Sequence, residues 1–188
     1  MTDYTLHTIA TAPEAAQPVL AAAQTSWGFV PNLLAVLAEA PAALEGYATL
    51  FRLFDSSSFT PVERQVVYLT VNYENDCHYC MAGHSVLARM AGMAPTDIEA
   101  LRNGQPLAEA RLQALRHFTA AMVRQRGFVP NTETDAFLAA GFSKAQVLEV
   151  ILGIATKVLS NYTNHIAATP LDPFMTGAEW SRPMRAVA

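Results

Sequence analysis

Both cysteines of the 188-residue chain lie in one stretch, CHYCMAGHS, residues 77–85, with a histidine four residues after the second thiol. On a helix of about 3.6 residues per turn, Cys77, Cys80 and His84 share one face, within roughly 60° of arc. A CxxC at a helix start is also a place where thiol pKa falls, because the unpaired N–H groups favour thiolate. Asn75 or Asp76 is placed to cap such a start. Glu74, three residues before Cys77, falls on the flank of the same face if the helix runs through it. The spacing therefore offers a pair able to close a disulfide, a base beside the second thiol, and a carboxylate near both.

Three readings of these residues compete. A closed zinc site needs four ligands, and only Cys77, Cys80 and His84 are at hand. His78 points away on the helix, His165 would have to come from elsewhere, and no second CxxC exists. Two small buried thiols with a satisfied histidine form the inert alternative. Redox chemistry at the pair is the third reading and the favoured one. No metal is expected.

The elements that must position these residues read as helices. No period-two alternation persists, and no Asn-Gly or Asp-Gly hairpin turn occurs. Pro41 opens PAALEGYATLFRLF, where proline suits a first turn. Thr60 and Glu63 form a capping-box pattern ahead of VVYLTVNY, and Ser143 and Gln146 form a second ahead of VLEVILGIATKVLSNYTNHIA. Pro106 introduces a further helical pattern, LAEARLQALRHFTAAMVRQR, which stops at Gly127. The chain is expected to be all-α, with roughly seven to nine helices and short loops.

A weak internal repeat runs through this pattern. WGFVPN (27–32) recurs as RGFVPN (126–131), and the stretch from Phe59 can be laid without gaps on the stretch from Phe142. In that register Glu63 meets Gln146, and CHYC meets SNYT. Asn161, Asn164 and His165, in the second copy, read as a buried polar network rather than as catalytic groups. Trp27, Phe29 and Pro31 read as core or subunit-contact surface.

Composition bounds the function. Apolar residues make up 52% and charged residues 15%, with a net charge of −4. No Lys/Arg cluster occurs, which argues against nucleic acid and anionic membranes as partners. The N-terminus has neither the basic start nor the apolar core of a signal peptide. The most apolar stretch, VLEVILGIATKVL, is interrupted by Glu149 and Lys157 and is too short to span a bilayer. A cytoplasmic protein is expected, where a Cys pair is more often catalytic or metal-binding than a structural staple. The scarcity of charge points to surface buried between subunits, hence a homo-oligomer. One domain over residues 1–188, with its core at about 27–172, accommodates the length.

The C-x-x-C-x-x-x-H pattern, the T-P-x-E-R helix start and the upstream F-V-P-N resemble the alkyl hydroperoxidase D-like proteins, in the peroxidase-related branch of the carboxymuconolactone decarboxylase superfamily. The resemblance implies an all-helical fold, assembly as a dimer, trimer or hexamer, and no bound cofactor. It also implies that Cys80 attacks a hydroperoxide, Cys77 resolves the sulfenic acid, and His84 takes the proton from Cys80. A dithiol partner, lipoyl or thioredoxin-like, would restore both thiols.

Two departures stand out. The family's catalytic Glu, twelve residues before the first Cys, is Gln65 here. Glu74 is expected to replace it as the charge supporting His84, with Glu63 the other carboxylate at hand. Tyr79 stands between the cysteines, where some members carry His, and its hydroxyl could orient a substrate. Two other functions remain on the same fold: a cofactor-free decarboxylase, whose known relatives generally lack the CxxC pair, and a redox-sensing disulfide switch.

Overall fold

The computed structural model describes residues 4–183. Among them are nine α-helices and no strand. They are α1 (Gln17–Trp27), α2 (Asn32–Leu37), α3 (Pro41–Asp55), α4 (Pro61–Glu74), α5 (His78–Met90), α6 (Pro95–Arg102), α7 (Ala110–Arg124), α8 (Asn131–Ala139) and α9 (Lys144–Ala167). Short 3-10 turns lie at Glu14–Ala16 and Pro173–Met175. The all-α expectation holds.

Helix α4 is the centre. It packs against α5, α7 and α9, and more lightly against α3 and α6. Its run from Val66 to Asn72 is buried on every side, as befits a helix surrounded by others. Both capping boxes form: Thr60 Oγ1 accepts from the Glu63 N–H and Glu63 from the Thr60 N–H, while Ser143 and Gln146 do the same for α9.

The two GFVPN segments share a left-handed glycine, although α1 runs up to Trp27 while α7 stops at Arg124 and Arg126 is left-handed as well. Gly28 and Gly127 take φ of 82° and 83°, left-handed values that glycine adopts without steric cost, and α2 and α8 begin at the following asparagines. The aligned helices then diverge. After Glu74 the first copy breaks at Asn75–Cys77, with Asp76 at φ 55°, whereas α9 continues without interruption. The other sequence expectation to move is the start of α7. It begins at Ala110 rather than after Pro106, because the Leu107 N–H is taken by the Gln113 side chain.

Two apolar clusters fill the interior. One joins α3, α4, α7, α8 and α9 through an aromatic column, with Phe118 stacked on Phe137 at 4.5 Å and Phe137 on Phe142 at 4.3 Å. The column continues through Phe59 and Phe54 to Tyr68, whose ring lies 4.7 Å from that of His84. The other cluster joins Leu20, Leu33, Leu44 and Tyr47 to Cys77 and Cys80. The thiols lie in this second cluster.

Candidate active site

The break after α4 places the thiols. The Cys77 N–H bonds back to the Asn72 carbonyl at 3.0 Å, so the chain reverses and α5 starts with Cys77 as its N-cap. The N-cap is therefore Cys77 itself, not Asn75 or Asp76. Cys80 falls in the first turn, where the helix N-terminus favours an anion. Asn72 and Asn161 lock this corner: Asn72 Nδ2 donates to the Cys80 carbonyl at 3.0 Å, Asn161 Nδ2 to Asn72 Oδ1 at 3.0 Å, and Asn75 Nδ2 to Asn161 Oδ1 at 2.9 Å.

Cys77, Cys80 and His84 share one buried face of α5, as their spacing requires. Both thiols are reduced. Asn164 Nδ2 from α9 lies 3.2 Å from Cys80 Sγ and 3.9 Å from Cys77 Sγ. Ser160 Oγ lies 3.6 Å from Cys80 Sγ. No group of three His, Cys, Asp or Glu side chains among the described residues is arranged to hold a metal ion.

His84 is bonded at both ring nitrogens. Nδ1 is 2.9 Å from Gln65 Oε1, and Nε2 is 3.0 Å from the ammonium of Lys157. An amide oxygen only accepts and an ammonium only donates, so the ring is neutral with its proton on Nδ1. Burial, and then the Lys157 charge, hold its pKa well below the ordinary histidine value.

Lys157 is 1% exposed, although in the sequence it stands only as an interruption of an apolar run. The signal that marks it is the α9 stripe Gly153, Thr156, Lys157, Ser160, Asn161, Asn164, small and polar residues at helical spacing in an otherwise apolar helix. Gly153 permits the close approach, since a Cβ there would stand 2.8 Å from Phe54 and Val67.

The carboxylate expectations do not survive. Glu74 points to the far side of α4, where both its oxygens accept from Arg124 at 2.7 and 2.8 Å. Glu63 is held by its capping box and by Arg111 Nε at 2.9 Å. Neither bonds to His84; Gln65 does. Tyr79 is also committed elsewhere: its hydroxyl donates to Asp172 Oδ2 and accepts from the Leu33 N–H at 3.2 Å. Asp172 Oδ1 accepts from the Asn32 N–H at 3.0 Å, so Tyr79 ties α5 to the FVPN turn and has no free hydroxyl for a substrate. Asn164, expected in a structural network, instead bonds the sulfurs, and His165 is exposed beside Tyr162.

The two thiols differ sharply. For Cys80, burial opposes the charged form. A hydrogen bond from Cys77, the Lys157 charge and Ser160 outweigh it, and the pKa sits well below the usual thiol value. For Cys77, its hydrogen bond to Cys80, burial and the charge on Cys80 all push the pKa up. Of the two, Cys80 is the sulfur at which a negative charge is favoured.

A cavity of about 340 Å³ reaches Cys80, His84 and Lys157 from the surface. Its walls are largely apolar, including Trp27, Leu33, Leu34, Phe51, Leu87 and Phe174. Gly83 forms part of the floor, where a Cβ would meet Met175 Cε at 2.9 Å. Cys77 does not line it.

Residues 37–120, which carry α3 to most of α7 and the whole CxxC…H segment, match the model of the carboxymuconolactone decarboxylase family. An alkylhydroperoxidase AhpD core structure, an uncharacterized peroxidase-related protein from Ralstonia eutropha JMP134, superimposes with a TM-score of 0.82 at 18% identity, over 95% of this chain and 97% of that one. Over residues 37–120 the sequence is therefore similar to the carboxymuconolactone decarboxylase family, and the fold as a whole is that of the AhpD core. A second neighbour, an uncharacterized peroxidase-related protein from Silicibacter sp. TM1040, gives a TM-score of 0.72 at 21% identity, over 92% of this chain and 90% of that one. The debrominase Bmp8, as a C82A variant in complex with 2,3,4-tribromopyrrole, gives 0.79 at 16% identity, over 95% and 96%. No curated protein matches the sequence significantly. No single helix among the described residues is long and apolar enough to cross a membrane.

Proposed function

We propose that the protein is a thiol peroxidase that reduces organic hydroperoxides through Cys80 and Cys77. The observation that carries this reading is the asymmetry of the pair: Cys80 lines the cavity together with Lys157, whose charge lowers its pKa, while Cys77 does not line it and has its pKa raised. The Cys80 thiolate attacks the outer peroxide oxygen, the O–O bond breaks, and the alkoxide takes a proton and leaves as the alcohol. Cys80 is then a sulfenic acid. Cys77 displaces its oxygen as water, forming the Cys77–Cys80 disulfide, and a dithiol such as a lipoyl or thioredoxin-like partner returns both thiols as it is itself oxidised.

The apolar walls favour an alkyl or aryl hydroperoxide over hydrogen peroxide, which gains nothing from them. Exposed Leu148, Ile151, Tyr162 and Ile166 on α9 support a homo-oligomer, readable by light scattering. The cytoplasm is the compartment in which such a pair is kept reduced.

The test is trapping. Reduced Cys77→Ser treated with cumene hydroperoxide should accumulate one dimedone-reactive sulfenic acid on Cys80, and Cys80→Ser should form none. A label on Cys77 in the second variant would reverse the roles, and no label in either would sink the reading. The debrominase neighbour favours a second reading: an aryl bromide and two thiols give the arene, the disulfide and HBr. Bromide release from 2,3,4-tribromopyrrole, with the wild type inert to hydroperoxide, would select it.

A further inference from the structure

We propose that Lys157 is the cation that holds Cys80 as a thiolate, and that His84 is a neutral positioning residue that aims the ammonium. This rests on the reading of Cys80 as the reacting thiol. It replaces the expected scheme of a charged histidine supported by a carboxylate.

The argument begins with charge balance. A buried ammonium is costly unless an anion or a full set of acceptors meets it. No Lys157–carboxylate ion pair exists among the described residues; the carboxylates of Glu63 and Glu74 are taken by Arg111 and Arg124, and that of Asp172 by the Tyr79 hydroxyl and the Asn32 N–H. Lys157 meets His84 Nε2 at 3.0 Å and the face of Tyr68 at 5.3 Å. The anion that completes the site is Cys80, on whose sulfur the Lys157 charge acts and which lines the same cavity.

The other titratable groups around the sulfur leave this assignment alone. Tyr47 from α3 and Tyr68 from α4 are buried phenols. On α5, Cys77 is the thiol partner, Tyr79 is bound to Asp172, and His84 is neutral. Arg52, on the cavity lining, is exposed to solvent.

Gln65 now has a reason. Its amide oxygen accepts the Nδ1 proton and leaves Nε2 with a free lone pair, the one configuration that can receive an N–H from an ammonium. A carboxylate at position 65 would favour imidazolium, whose Nε2–H would confront Lys157 donor to donor. Gln65 and Lys157 therefore belong together: the charge has moved from the histidine to the lysine.

The experiment follows the rate of Cys80 alkylation by iodoacetamide against pH in the reduced full-length protein. Lys157→Met should move the profile up by at least about one pH unit and cut the rate at pH 7 at least about tenfold, with recovery toward the wild-type rate near pH 10. Lys157→Arg should stay close to wild type. Adding Gln65→Glu to Lys157→Met should restore at least part of the lost rate, because His84 can then carry the charge. If Lys157→Met fails to fold, Lys157→Gln is read in the same way. An unmoved profile overturns the proposal, as does a loss that persists at high pH, which would mark a structural role. A wild type with a depressed thiol profile that nevertheless ignores cumene hydroperoxide would sink the peroxidase reading and leave the Lys157 assignment standing.

Discussion

Cys77 and Cys80 are the same side chain three residues apart, and their partners alone distinguish them. Cys80 faces a cavity, an ammonium's charge and two polar side chains of α9; Cys77 is walled off behind it. Glu74 gives the clearest residue-scale prediction. Its carboxylate is bonded twice to Arg124, away from the thiols. Glu74→Gln should leave the Cys80 alkylation rate within about twofold of wild type. It should cost about 1–2 kcal/mol of stability, since the carboxylate is buried while Arg124 is half exposed. Alkylation kinetics and urea unfolding read the two effects separately. Tyr79→Phe should cost about 1–3 kcal/mol, because it leaves the Leu33 N–H and Asp172 without their hydroxyl partner. Urea melts measure it. Cys77, Cys80 and His84 were legible in the sequence because helical spacing alone puts them on one face. The α9 stripe marks Lys157 as buried, but its partner is not legible, because that comes from the packing of α9 against α5 and α4. The repeat register held a clue: Lys157 is aligned with Glu74, so the charge that serves the site lies at the equivalent place in the other copy.

At the scale of elements, the site depends on how closely α9 approaches α4 and α3. The Gly153–Phe54–Val67 contact sets that distance, and Lys157 follows one turn later on the same face of α9. Gly153→Ala replaces hydrogen with a methyl against a ring and a β-branched side chain, neither of which is a flexible tip. The overpacking should cost about 1–3 kcal/mol, offset only in part by the better helix propensity of alanine. A shift of α9 would also draw the Lys157 ammonium off His84, so Cys80 alkylation at neutral pH should slow along with the loss of stability. Gly83→Ala makes the contrasting case. The methyl there meets the end of Met175, a flexible side chain, so stability should change little while the cavity floor rises. Thermal melts of both variants, with the rates of Cys80 alkylation by a bulky and a small alkylating agent, separate the two glycines. The capping boxes and the GFVPN turns were readable because each is a local hydrogen-bond or φ requirement. The break after Glu74 was only half readable, since Asp76 at positive φ marks the turn only once the fold is known.

For the whole molecule, the buried neutral histidine links stability to pH. His84 has a folded pKa well below its unfolded value of 6.5, so below pH 6.5 the unfolded chain binds a proton that the folded chain refuses. The histidine's contribution is complete above that pH and falls as acid is added, by up to about 1.4 kcal/mol per pH unit until the folded pKa is reached. The Cys80 thiolate acts in the same direction: its depressed pKa contributes stability at higher pH that is lost when acid protonates it. Asp172 acts in the opposite direction, because burial raises its pKa and the folded state holds that proton the more tightly. Reduced wild-type protein, unfolded in urea at pH 5, 6, 7 and 8, should therefore show its steepest loss between pH 6.5 and 5. Oxidation to the disulfide removes the thiolate contribution but keeps the histidine one, so the oxidised protein should retain part of the slope. His84→Gln should flatten the curve in both redox states, because glutamine does not titrate. A His84→Gln variant with the wild-type slope would mean that the acid sensitivity arises elsewhere and that the ring is not the neutral acceptor of the Lys157 ammonium.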